Sequence, residues 1–215
     1  MPRRSFASLV AVFGAAMFFA CSGQPPLAPT VPPAALGSGL SVDGMLASSP
    51  AGPEYADVSN QGGGGVYAAN GATLVRQPNG LRVSISVPTP QPGTYNYPAG
   101  RTPGHPEVFT LWVFIFNFPD LCSDPCGADD LGVATAAKGG VYNGGGHAAS
   151  GSHLTIAGRI RAGETPFNHA PLESPGTAEV HLAIAPHGAL DPSALPEDFR
   201  LPTGPAVFWW VAIFD

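Results

Sequence analysis

No segment longer than the twelve residues from Glu107 to Phe118 escapes both glycine and proline in this chain of 215 residues. That punctuation leaves helices little room, because an interior proline costs about 3 kcal/mol and an interior glycine about 1 kcal/mol. The uninterrupted segments are loaded with Val, Ile, Phe, Trp and Thr, residues that suit a pleated, half-buried surface. The pattern predicts an all-β protein of short strands.

The clearest strand is "LRVSISV", in which Leu81, Val83, Ile85 and Val87 alternate with Arg82, Ser84 and Ser86, so that one face is buried and the other wet. "HLTIAGRI" repeats this with Leu154, Ile156 and Ile160 against His153, Thr155 and Arg159. "VFTLWVFIFNF" (108–118) and "AVFWWVAIF" (206–214) are apolar on both faces, as a strand covered on both sides should be. Shorter candidates lie at 65–69, 72–76 and 139–143. Seven or eight strands in about 160 residues are most simply arranged as a single Greek-key, Ig-like β-sandwich.

The N-terminus reads as an export signal. Arg3 and Arg4 precede an apolar run from Phe6 to Ala20, the layout of a secretory signal peptide. The run ends in "MFFAC", which resembles the lipobox of bacterial lipoproteins, with small Ala20 before Cys21. The resemblance implies cleavage after residue 20 and a diacylglycerol on the Cys21 thiol; ordinary signal cleavage is the alternative. Residues 21–53 are rich in Pro, Gly, Ala and Ser with Asp43 as their only charge, the composition of a flexible tether. Residues 54–215 are then the folded domain. Ser22 rather than Asp after the cysteine favours the outer membrane under the lipoprotein sorting rule known in some bacteria. The expected location is the bacterial cell envelope, with the domain outside the cytoplasm and the membrane reached through the lipid.

Without Arg3 and Arg4, seven basic residues face fifteen acidic ones, a net charge of about −8, and no basic cluster is visible along the chain. Nucleic acid and anionic lipid surfaces are therefore not expected as partners.

If Cys21 carries lipid, Cys122 and Cys126 remain, in "DLCSDPCGADDL". In an oxidising compartment this pair predicts a disulfide closing a tight loop. Redox activity is disfavoured because C-x-x-x-C in an acidic, proline-turned loop gives no thiolate stabilisation. Asp129 and Asp130 follow the loop as a solvated acid pair or a calcium-binding one. The order of "LWVFIFNFPDLCSDPCGADDL", "GGVYNGGGHAASGSHLTIAGRI", "AEVHLAIAPHG" and "FWWVAIF" resembles a group of uncharacterised secreted bacterial β-proteins over roughly 108–214. The strand "AEVHLAI" is also similar to the signature strand of CHRD domains through Ala178, Val180, His181 and Leu182. That likeness implies a β-sandwich and no activity.

"AEVHLAIAPHG" carries the sharpest functional question. On a strand, Glu179 and His181 share one face about 7 Å apart, and His187 follows Pro186 in an expected turn. Zinc or copper could recruit Glu179, His181 and His187, with His147 or His153 as a fourth ligand. No H-x-H, H-E-x-x-H or multi-Cys pattern supports this. The alternative is a strand wall in which His181 hydrogen-bonds a neighbour and His187 caps a turn. No G-x-S-x-G elbow or phosphate loop occurs, so no catalytic residue is nominated. If Trp112, Trp209 or Trp210 lies exposed, it could bind sugars or a partner; otherwise these rings belong to the core. The expectation is a lipid-anchored binding or structural module without catalysis. The alternatives are a metal-binding protein or metal-dependent enzyme using the His/Glu set, and a carbohydrate-binding surface.

Overall fold

The computed structural model describes residues 52–60, 64–94, 97, 100–123, 126–200 and 210–215. The expected leader (1–20), Cys21, nearly all of the expected tether (21–51) and Trp209 lie outside them. Among the described residues every regular element is a strand or a single turn of 3-10 helix. The strands are β1 (Glu54–Asn60), β2 (Val66–Gln77), β3 (Gly80–Pro88), β4 (Glu107–Phe116), β5 (Gly139–Ala149), β6 (His153–Arg161), β7 (Asn168–His169), β8 (Glu179–Ala189) and β9 (Trp210–Phe214).

They form one curled sheet in the order β6-β3-β2-β1-β9-β8-β4-β5-β7, with every neighbouring pair antiparallel. The sheet is continuous because Ser59 and Asn60 of β1 pair with Val211 and Trp210 of β9. A two-sheet arrangement was the expectation; this narrow seam joins what would have been its halves. At the other side of the curl, β6 returns against β5 without a ladder. There a Cβ on Gly158 would stand 2.2 Å from the Gly144 carbonyl oxygen, so two glycine backbones make the contact possible.

The inside of the curl is the core. Leu81, Val83, Ile85 and Val87 of β3 and Leu154, Ile156 and Ile160 of β6 face Phe109, Leu111, Val113 and Ile115 of β4 and Val180, Leu182 and Ile184 of β8. The alternation read in β3 and β6 is thus the alternation of core and solvent. The two strands also pair with each other along their whole length, from Gly80 opposite Arg161 to Pro88 opposite His153. The apolar outer positions of β4 are explained by a second, smaller cluster: Trp112, Ala183 and Ala185, with Phe114, Val141 and Val211 against them.

Two expected short strands at 65–69 and 72–76 prove to be one, β2. The chain passes Asn70 at φ 50°, its N–H donated to Asp57 Oδ1 at 2.8 Å, and the β1–β2 register shifts beside it. A bulge therefore bends the strand where glycine and asparagine had suggested a turn. The 206–214 candidate is strand from Trp210 onward, its first residues falling in the undescribed 201–209.

Beyond β4, Asn117 is 1 % exposed and holds three loops together. Its Nδ2 donates to the carbonyls of Lys138 at 2.8 Å and Pro171 at 2.9 Å, and its Oδ1 accepts from the Glu173 N–H at 2.7 Å. Cys122 and Cys126 form a disulfide with their Cα atoms 5.0 Å apart. Opening so short a loop by Cys122→Ala with Cys126→Ala is expected to lower the unfolding free energy by about 2 kcal/mol. A urea titration of the double variant against the parent measures it.

Candidate functional site

The outer face of the sheet carries a cleft of about 230 Å³. Its floor is Phe114 and Phe116 of β4, His181 and Ala183 of β8, and Val211 of β9. Register explains the grouping: Phe114 lies opposite His181 and Phe116 opposite Glu179, while Ala183 lies opposite Val211. Ala183 is small between larger neighbours, and that difference in size leaves room. The wall is the disulfide loop, contributing Cys126, Gly127, Ala128 and Leu131.

Asp130 braces that wall. It accepts the Gly127 N–H at 2.9 Å and the Ser123 N–H and Oγ at 3.2 Å. The Gly127 bond comes first among the causes holding its carboxyl below the usual carboxylate range. The acid pair expected to be solvated or calcium-binding thus divides, with Asp130 buried and used as a loop clamp, and Asp129 exposed.

Glu179 and His181 meet, as the strand parity predicts. Nε2 of His181 lies 2.5 Å from Glu179 Oε1, with only 12 % and 13 % of the two side chains exposed. The imidazole also packs against the Phe116 ring, centroids 5.1 Å apart. A carboxylate holding one ring nitrogen orients the imidazole, and in the neutral ring the other nitrogen is an acceptor. The chemistry offered is an oriented imidazole at the edge of an apolar floor.

The remaining nominated ligands lie elsewhere. His187 sits six residues further along β8, roughly 20 Å away by strand rise. It is no turn cap: β8 runs through Pro186 to Ala189, with a register shift against β4 between Val108 and Phe109 accommodating the proline. His187 is 1 % exposed. Burial first, and then the Arg101 guanidinium, push its pKa down to about 4, with Asp198 opposing them. His147 is exposed on β5 and His153 exposed at the start of β6. Among the described residues no three His, Cys, Asp or Glu side chains assemble in a metal-binding group. Zinc or copper would have Glu179 and His181 as its protein ligands here, and the four-residue set is not brought together.

Compared with protein-family models, with curated proteins and with solved structures, the chain matches none.

Trp112 and Trp210 are buried, at 3 % and 6 % exposure. Trp112 lies under the edge of Phe167, and Trp210 packs between Tyr67 and Phe109 in the core. Neither offers a free ring face to a sugar.

Among the buried charged groups that the strand pattern does not single out, one sits on β4 itself. Glu107, at the head of β4, is 2 % exposed and accepts hydrogen bonds from the Tyr97 hydroxyl and, at 3.3 Å, the Gly104 N–H. Burial raises its carboxyl above the usual range. The signal was present: it is the one acid inside the long Gly/Pro-free run.

Proposed function

We propose that this protein is a lipid-anchored binding module of the bacterial cell envelope, without catalytic activity, whose ligand enters the cleft between the disulfide loop and the outer face of β4, β8 and β9. The observation that carries the reading is the oriented Glu179–His181 pair beside a cleft lined mainly by apolar side chains. Ligand sites commonly combine an apolar lining with a few placed polar groups. The expected ligand group is small and apolar with one hydrogen-bond donor for the imidazole. The anchor rests on the leader and the "MFFAC" resemblance, and its check is a lipid-sized mass increment on Cys21 of the exported protein. For the scaffold, we read the curled sheet as a Greek-key sandwich whose halves are linked by the two-residue β1–β9 seam, a reading supported by the core drawn from both sides.

The test is ligand-observed NMR with small aromatic alcohols and amines. Binding on the order of millimolar is the expectation for fragments of this size. Ala183→Leu, which fills the floor, should weaken it at least about ten-fold. His181→Phe should weaken donor-bearing fragments and spare purely apolar ones. Binding unaffected by both substitutions would move the ligand away from this cleft.

A further inference from the structure

Folding makes a basic cluster that the linear sequence hides. Arg82 of β3 lies directly opposite Arg159 of β6, and Arg161 follows on the same outward face two residues on. All three side chains are exposed, and none has a carboxylate partner among the ion pairs of the described residues, which join Arg76, Arg101, Lys138 and His181 to acids. Like charges placed opposite one another across strands destabilise a sheet unless something of opposite sign covers them. Glu164 is the one acid in the groove formed with Arg159 and Arg161, and its Oε2 accepts the Arg161 backbone N–H at 3.0 Å. The outward neighbours Val75, Ser84 and Ala157 are uncharged. A sparsely charged, net acidic chain thus concentrates three of its few basic side chains at one corner.

That corner lies at the end where the chain enters the domain. Glu54, the first residue of β1, is opposite Leu74, Leu74 is opposite Val83, and Val83 is opposite Gly158. One residue further toward the entering chain, the same row reads Val75, Arg82 and Arg159. If Cys21 carries the lipid that the sequence leads us to expect, the anchored chain joins the domain at this end, beside the arginine row.

We infer that the Arg82–Arg159–Arg161 face docks the domain onto the anionic surface of the membrane to which the lipid attaches it. The inference rests on the anchored reading above. It reverses the expectation, drawn from the linear sequence, that anionic lipid surfaces are not partners. A diacylglycerol supplies the anchoring itself, and a basic face adds attraction of the domain to an anionic surface. Each arginine near an anionic leaflet favours the docked state by about five-fold, so removing all three should lower the docked-to-undocked ratio by about a hundred-fold.

The experiment uses the whole exported protein, floated on phosphatidylcholine vesicles with or without phosphatidylglycerol and doped with a dansyl lipid. Energy transfer from the tryptophans reports the distance of the domain from the bilayer. The expected result is stronger transfer with phosphatidylglycerol, reversed by high salt and absent in the Arg82→Ser, Arg159→Ser, Arg161→Ser variant. The corresponding triple lysine variant should retain it, because surface attraction needs charge and not guanidinium geometry. Equal transfer in both vesicle types would overturn the inference while leaving the anchor intact. So would loss in the lysine variant together with competition by inorganic phosphate at constant ionic strength, which would mark a site for free phosphate. Failure of the parent to float on any vesicle strikes the anchor reading itself, and the inference falls with it.

Discussion

Replacing Arg76 by alanine is expected to lower the unfolding free energy by roughly 4 kcal/mol and the midpoint of thermal unfolding by on the order of 10 °C. Arg76 shares the inward parity of Leu74 on β2 but lies at the open end of the curl, 9 % exposed. Its Nη1 reaches the carbonyls of Ala178 at 2.6 Å and Pro175 at 3.2 Å, and its Nε donates to Glu54 at 2.8 Å. It therefore ties the β1–β2 side of the sheet to the chain just before β8, a hundred residues on in sequence. Alanine would strand two carbonyls and a carboxylate where little water can replace the lost donors, and a hydrogen-bonding group left unsatisfied costs more than the bond was worth. The guanidinium fork matters as well as the charge, so Arg76→Lys should recover only part of the loss. Glu54→Gln tests the ion pair alone. With a third of the Glu54 side chain exposed, that change should cost about 1 kcal/mol or less. Urea denaturation of the three variants separates these contributions. Equal losses from Glu54→Gln and Arg76→Ala would mean that the carbonyl bonds hold nothing.

How legible this architecture was depended on whether the information is local. Period-two alternation is local, so the inward sets of β3 and β6, the two-sided burial of β4 and the meeting of Glu179 with His181 could all be read from spacing. The pairing of Arg82 with Arg159 could not, because register between strands so far apart in sequence is decided by the whole sheet. Local punctuation also misled where a bulge absorbed it. Asn70 with Gly71, and Pro186, look like chain reversals but sit inside β2 and β8, where shifted register relieves them. The cleft floor was half legible: His181 was nominated as a ligand, while Ala183, whose smallness makes the space, carries no chemical signal. Asp130 reads as an ordinary loop acid, since nothing in its neighbours' identities says that the disulfide loop would fold back over it, whereas Glu107 is marked by its place at the head of the long Gly/Pro-free run.

His187 should make the protein's stability fall as the solution is acidified from about pH 6.5 to about pH 4. Its ring is buried beside the Arg101–Asp198 ion pair, and its pKa is lowered from 6.5 to about 4, with burial the largest cause. The sign follows from proton counting. Between those two values the unfolded chain binds a proton at this ring and the folded chain does not, so protons favour unfolding. Above pH 6.5 neither state is protonated and the full stability is present; below about pH 4 both are, and the loss is complete. The shift corresponds to roughly 3 kcal/mol at most. Other groups titrate in or near this window with different signs. The raised carboxyl of Glu107 favours folding as pH falls, while the lowered carboxyls of Asp130 and Asp191 lose stability on still stronger acidification. These contributions are shared by a His187→Asn variant, so the difference between parent and variant, followed by urea titration at each pH, isolates the one ring. That difference should shift in the variant's favour as pH falls from 6.5 to 4 and stay level outside that range. An NMR titration of the His187 ring in the folded parent gives the second check. A midpoint near 6.5 would mean that water and counter-charge reach the imidazole, and the acid sensitivity would then have to come from the carboxylates alone.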